Sequence, residues 1–264
     1  MKTLISFVGK LGSGKNHCMN KMVDELKDTG HTIYLVSFAD PIKKILRDSF
    51  GLTKAGKLPT KHPEFTELYV KSQVVDSLYS LIRQLNYEKF DITESDLKSY
   101  IARNYEIHEK EFYKWVCGAT RGYFLTMCPT ENWKDNTPEY ALCFRKLGQM
   151  LGTELARHIV DSIWVDLALN KVKNVFKNNM ADYAFIADCR FLNEYEMLQK
   201  FRQDTAFDSL IYGVVATDQT RAKRRNMTIE ELYAQDDHGS EQEVDSIIRK
   251  LPLSYVINND KDTL

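Results

Sequence analysis

Five short apolar runs punctuate the chain, each set off by polar or glycine-bearing stretches. They are "LISFV" at 4–8, "TIYLVSF" at 32–38, "YAFIAD" at 183–188, "LIYGVVA" at 210–216 and "LSYVIN" at 253–258. Continuous apolar runs of this length read as strands buried on both faces, as parallel sheets require. After the first run the period lengthens. Met19, Met22, Val23 and Leu26 recur at helical spacing between Lys15 and Lys27, and Gly30 supplies a C-terminal stop. Strand, helix and strand in sequence make a βαβ unit. The pattern therefore predicts an α/β fold with a five-stranded parallel sheet wrapped by helices.

Residues 39–182 separate the second run from the third, far more than the dozen or so a crossover needs. Much of this stretch has helical periodicity. Leu68, Val75, Leu78, Ile82 and Leu85 share a face, and "TESD" at 93–96 resembles a capping box, with Asp for the usual Glu or Gln, before "LKSYIARN". The polar stretch "CPTENWKDNTPEY" then leads to a stronger helix starting near Leu142. We expect a core of residues 1–52 and 142–264, with a mostly helical insertion at 53–141 on the sheet's C-terminal edge. No internal repeat or low-complexity segment interrupts this plan.

Composition narrows the class. With 43% hydrophobic and 28% charged residues, the chain can bury a substantial core. A net charge of −1 argues against a general polyanion binder, so no nucleic-acid partner is expected. Cys18, Cys117, Cys128, Cys143 and Cys189 are widely spaced with no CxxC pair, which reads as reduced thiols of a cytoplasmic protein. The run after Lys2 is too short for a signal peptide, and no run is long enough to span a membrane. The six histidines show no HExxH or paired metal spacing, and no Cys/His cluster suggests zinc. The plentiful Phe and Tyr read as packing residues.

Chemistry enters at "GKLGSGKNHC", residues 9–18. Gly9 to Lys15 fits the G-x-x-x-x-G-K phosphate loop and lies between a predicted strand and a predicted helix, the context that motif requires. Glycines let backbone N–H groups turn inward around phosphate oxygens, and the helix N-terminus adds partial positive charge. Lys15 would reach the β- and γ-phosphates as a point charge. The dinucleotide fingerprint fails, because His17 stands where its last glycine would fall. Asn16 occupies the position of the hydroxyl that usually helps hold Mg²⁺, with an amide oxygen to offer instead. His17 reads as a helix-surface residue. By this motif alone the chain binds ATP or GTP.

Four more stretches sharpen the reading. "FADPIKKIL" (38–46) follows the second run, and "RKLGQMLGTELAR" (145–157) precedes "DSIWVDLAL" (161–169). "IADCRFLNE" (186–194) ends the third run and "DHGSEQEVD" (237–245) precedes the last. In this order, with the loop, they resemble the phage-type deoxynucleoside monophosphate kinases of the P-loop nucleoside monophosphate kinase superfamily. The resemblance covers the loop and first helix, residues 38–50 and most of 142–260, but little of 53–141. It implies a P-loop kinase fold with a short lid near 217–240, and transfer of the γ-phosphoryl of ATP to a deoxynucleoside monophosphate to give the diphosphate. It also implies Mg²⁺ as cofactor, small-molecule nucleotides as partners and a cytoplasmic location, the host's if the chain is phage-encoded. Similar enzymes are often dimers, which leaves a homodimer open. In that family Asp-Thr often follows the loop lysine, so His17 is a larger departure than Asn16: it loses a hydroxyl expected at the α-phosphate.

The same resemblance distributes roles. ATP falls to Gly9, Gly12, Ser13, Gly14, Lys15, Asn16, His17, Arg221 and Asn258, and the metal to Asn16 and Asp188. The acceptor falls to Asp40, Lys43, Arg145, Gln149, Thr153, Glu154, Arg157 and Arg190. Catalysis falls to Lys15, Arg145, Arg190, Arg221 and Arg225. The residue types suit the work. Arginine's planar fork grips phosphate oxygens in pairs, and Arg145 and Gln149 lie one helical turn apart, so they share a face. Glu154 and Arg157 could equally pair with each other three residues apart. Asp40 and Lys43 follow the second strand, at the edge where open α/β sheets bind ligands. "TDQTRAKRRNM" carries Arg221, Arg224 and Arg225 where the superfamily has its lid. His238 in "DHGSE" reads as structural, and the chain stops at Leu264, which leaves the usual closing helix short or missing. Two rival readings remain: another small-molecule P-loop kinase, for dephospho-coenzyme A or phosphomevalonate, and a nucleotide-binding module without catalysis.

Overall fold

The six residues of "TLISFV" alternate between the two faces of β1 (Thr3–Val8), and all six are buried. This computed structural model describes residues 2–57, 65–121, 138–236 and 239–260. The chain divides into two compact units: Met1–Phe38 with Ala168–Leu264, and Ala39–Leu167.

In the first unit, α1 (Lys15–Asp28) follows β1 and ends in a Schellman turn. The Gly30 N–H bonds the Lys27 carbonyl at 2.9 Å and the His31 N–H bonds that of Leu26 at 3.1 Å. Next comes β2 (Ile33–Leu35), shorter than the apolar run predicted, though the Val36 N–H still bonds the Phe185 carbonyl at 3.0 Å. In the second unit lie α2 (Asp40–Phe50), a small antiparallel hairpin of β3 (Leu52–Thr53) and β4 (Gly56–Lys57), then α3 (Glu67–Leu85), α4 (Glu94–Glu106) and α5 (Glu109–Arg121). After these come α6 (Pro138–Gln149), a π-helical segment (Met150–Ala156), α7 (Arg157–Ile159) and α8 (Ile163–Lys177), which runs across the boundary into the first unit. The first unit continues with β5 (Tyr183–Cys189), α9 (Leu192–Asp204), β6 (Asp208–Val215), α10 (Asp218–Arg225), α11 (Ile229–Asp236), α12 (Gly239–Gln242), α13 (Val244–Lys250) and β7 (Val256–Asn258).

The five predicted strands form one parallel sheet in the order β2-β5-β1-β6-β7. Its core is built by Ile5, Phe7, Phe185 and Val214 against Val23 of α1, with Met19, Met22 and Leu26 packed around them, as the helical spacing required. Burying one such side chain contributes about 1.5–3 kcal/mol. The β1–β5 register slips by one residue between Ser6↔Ile186 and Val8↔Cys189. This bulge gives β5 an extra residue just before the sheet edge, and bulges re-aim the side chains beside them. Asp188 lies in it. The last run also shortens: Leu253–Tyr255 turns as a 3₁₀ helix after Pro252, and Leu253 is 89% exposed.

The second unit is helical apart from its hairpin. Thr93 caps α4, its side-chain oxygen accepting from the Asp96 N–H at 3.1 Å, while its hydroxyl donates to the Asp96 carboxylate at 2.6 Å. "TESD" is thus a working N-terminal signal. The apolar face of α3 departs from expectation at one end. Leu68, in the first turn, stays 77% exposed, and Val70 and Val74 are buried in its stead. Phe50, Phe65, Tyr105 and Phe112 pack ring against ring in the core of this unit, as the aromatic content suggested. Cys18, Cys117, Cys143 and Cys189 are free thiols, and Cys128 lies outside the described residues. Among the described residues no helix is long and apolar enough to cross a membrane.

Candidate functional site

The loop between β1 and α1 is held from several sides. Gly14 takes a left-handed φ of +91°, and a Cβ there would run into the side-chain amide of Asn259. That amide donates to the Ser13 carbonyl at 2.9 Å. Gly14→Ala should therefore lower stability by about 1–3 kcal/mol, as thermal melting would read. A variant that melts like the native chain would show the loop can re-form around a side chain.

Lys15 opens α1 but is only 8% exposed. Its ammonium donates to the Gly9 carbonyl and, at 3.0 Å, to the Lys10 carbonyl. Burial, then the nearby Arg190, pull its pKa down to about 8, while Glu241 pulls the other way; Arg221 and Asp188 act more weakly, in opposite senses. The sign gives a prediction. An ammonium whose folded pKa is depressed destabilises the fold fully below pH 8, and that penalty fades as pH rises to about 10.5, where the unfolded lysine also deprotonates. In nucleotide-free, metal-free protein, Lys15→Met should be the more stable of the two below pH 8, with the gap closing toward pH 10.5. Urea denaturation across that range would measure it. A pH-independent gap would contradict the burial cost.

Asp188, placed by the bulge, accepts from the Ser37 hydroxyl at 2.5 Å and the Phe38 N–H at 3.1 Å. Arg190, two residues on, pairs with Glu241. The structure thus gathers Lys15, Asp188, Arg190, Arg221 and Glu241 into one charged neighbourhood. Asn16 and His17 are both exposed in the first turn of α1.

The basic helix α10 divides its arginines. Arg221 is 2% exposed: its guanidinium grips both oxygens of Asp236 at 3.0 and 2.6 Å, reaches Asp218 at 2.9 Å and donates to the Leu11 carbonyl at 2.8 Å. A side chain so committed ties the loop to α10 and α11. Arg224 donates to the Ser13 carbonyl at 3.3 Å and the Asn259 carbonyl at 2.7 Å. Arg225 is exposed. Asn258 is also exposed, its side-chain oxygen accepting from the Asp260 N–H at 3.1 Å; the loop contact belongs to its neighbour Asn259.

Apart from Arg190, which lies in the first unit, the acceptor candidates belong to the second unit. Arg145 is exposed and Gln149 half-buried at the end of α6, and Thr153 and Glu154 lie in the π-helical segment. That segment widens the turn and shifts which residues share a face beyond Gln149, and such segments are frequent at functional sites. Glu154 stands 3.8 Å from the His108 ring, whereas Arg157 pairs with Asp161 at 3.3 Å, so the two do not form the pair their spacing allowed. Asp40 and Lys43 pair at 3.2 Å on the surface of α2.

Residues to which the sequence assigns no role are Glu241, Asp236 and Ser37, and the side-chain contact of Asn259 with the loop is likewise not legible there. "DHGSE" stands out as a motif, but nothing local marks its Glu as buried; Asp237 and His238 of that motif lie outside the described residues.

Comparison with known proteins agrees with this geometry. Residues 3–239 match the family described as deoxynucleotide monophosphate kinase. A deoxynucleoside-5′-monophosphate kinase of Escherichia phage T5 is 27% identical over 228 residues, covering 83% of this chain and 80% of the relative. A charged phosphate loop at the edge of a parallel sheet, in a chain matched over nearly its whole length, leaves one conclusion: the chain belongs to the deoxynucleotide monophosphate kinase family.

Proposed function

We propose that the enzyme transfers the γ-phosphoryl group of ATP to a deoxynucleoside monophosphate, giving ADP and the deoxynucleoside diphosphate. The observation that carries this reading is the preset loop: a buried Lys15 beside Asp188 and Arg190, at the N-terminus of α1. Phosphoryl transfer asks the protein for little covalent chemistry; it asks for positive charge around the moving group and for substrates held in line. In this reading residues 1–52 and 142–264 form the kinase core, 53–141 an acceptor-side insertion and 217–240 a lid.

The backbone of Gly9, Gly12, Ser13 and Gly14, with Lys15, would cradle the β- and γ-phosphates. Asn258 would lie near the adenine, and His17 near the α-phosphate without the hydroxyl usual there. Arg190 would stabilise the charge that develops on the transferring phosphoryl, and Arg225, exposed on α10, would close over ATP. Arg221 we assign to holding the loop through Leu11. Arg145 would take the acceptor's phosphate and Gln149 its base, with Thr153, Glu154, Arg157, Asp40 and Lys43 bounding that pocket.

The donor set suits a hard divalent cation, which we take to be Mg²⁺: the exposed amide of Asn16 and the anchored carboxylate of Asp188, the latter through water. Among the described residues no three His, Cys, Asp or Glu side chains cluster as ligands, so phosphate and water would supply most of the shell. The ion, when bound, neutralises charge between the phosphates.

The test is direct. Purified protein is incubated with ATP, Mg²⁺ and each deoxynucleoside monophosphate in turn, and ADP and diphosphate are measured. Turnover with at least one acceptor is expected. Tight ATP binding without turnover would leave only a nucleotide-binding module, and turnover confined to dephospho-coenzyme A or phosphomevalonate would move the enzyme to a neighbouring activity.

A further inference from the structure

Glu241 is a carboxylate only 3% exposed, and the roles above do not use it. A buried charge of this kind is costly unless it is paired and hydrogen-bonded. Both its oxygens are occupied. One accepts from the Leu11 N–H at 2.9 Å, inside the phosphate loop, and the other pairs with the Arg190 guanidinium. The Leu11 backbone is thereby held on both sides, its N–H by Glu241 and its carbonyl by Arg221 at 2.8 Å. Arg221 is locked in turn by Asp236, which also faces Lys10 at 3.5 Å.

We propose that Glu241 is a positioning residue for phosphoryl transfer, fixing the phosphate loop and Arg190 to each other as a single anion-binding unit. It touches no substrate in this scheme; it acts through Leu11 and Arg190. The proposal rests on the kinase reading for its kinetic consequence, but not for its geometry.

The two contacts separate by substitution. Glu241→Gln keeps an oxygen for the Leu11 N–H and removes the charge that pairs with Arg190. It should lower kcat by about 10²-fold, the scale of a misplaced catalytic group, with little change in the KM for ATP. Glu241→Ala loses both contacts and should raise the KM for ATP as well. Glu241→Asp, which keeps the charge on a shorter stem, should recover part of the kcat lost in Glu241→Gln. Wild-type kcat in folded Glu241→Gln, or kcat and KM falling together in every variant in step with melting temperature, would overturn the proposal.

A measurement on the unaltered enzyme guards against variants that fail to fold. The Leu11 amide should exchange its hydrogen far more slowly than an exposed loop amide, by nuclear magnetic resonance. Exchange at the exposed rate would overturn the assignment. If the unaltered protein phosphorylates no deoxynucleoside monophosphate, the kinase reading fails, while Leu11 exchange still decides the role of Glu241 in the loop.

Discussion

Lys15→Ala is expected to cut kcat by about 10³-fold, the scale of losing one preorganised charge-stabilising donor, while leaving the protein folded and no less stable. The two halves of that result have one cause. In the nucleotide-free protein the ammonium is buried and answered mainly by the carbonyls of Gly9 and Lys10. It is held there at a cost to the fold, which its lowered pKa of about 8 records. With ATP bound, triphosphate oxygens would supply the charge it lacks. Removing it would therefore sacrifice stabilisation that exists only in that complex, and relieve a burial cost that exists without it. Steady-state kinetics and thermal melting on the same preparation check both. Retained turnover would show that this loop is not the catalytic one, and a collapsed melting temperature would show that Lys15 supports the fold.

Arg221→Ala is expected to do the reverse, destabilising the protein by about 3–5 kcal/mol, because removing one member of a buried pair strands the other. Among the described residues Asp236 would keep Lys10, at 3.5 Å, and the Leu11 carbonyl would lose the Arg221 donor. Urea denaturation without nucleotide would measure the loss. Arg225→Ala, four residues on along α10 but exposed, serves as the contrast. Its stability should stay within about 0.5 kcal/mol of the native chain, while its turnover falls if it closes over ATP. Equal stability losses in the two variants would contradict the division of labour on this helix.

Much of the first unit was legible because local periodicity carries it. Each strand lies in a contiguous apolar run and α1 shows its Met19–Met22–Val23–Leu26 face, while in the second unit "TESD" announces the start of α4. Strand ends were less legible. Leu253 is apolar yet 89% exposed, since Pro252 and a 3₁₀ turn hold that segment off the sheet, and apolar character alone does not reveal the turn. Leu68 fails for a related reason: a helical face names the residues that can be buried, not where along the helix a partner begins.

The site divides along similar lines. Phosphate-binding loops are short, local devices, so Gly9 through Lys15 could be read directly from spacing and from the strand-to-helix setting. Arginines on α10 could be counted but not sorted, because "TRAKRR" looks equally basic at each position while burial separates Arg221 from Arg225.

By itself, then, the sequence determined the parallel sheet, the phosphate loop and the kind of ligand that loop can hold, since these follow from spacings within a dozen residues. Only the tertiary structure decided that Glu241 and Arg221 grip the N–H and the carbonyl of Leu11, and that the β5 bulge presents Asp188 to Ser37 and Phe38. Those contacts join residues some 150 to 230 positions apart. Pairing at such distances is settled by packing and charge burial in three dimensions, and leaves no periodic trace along the chain.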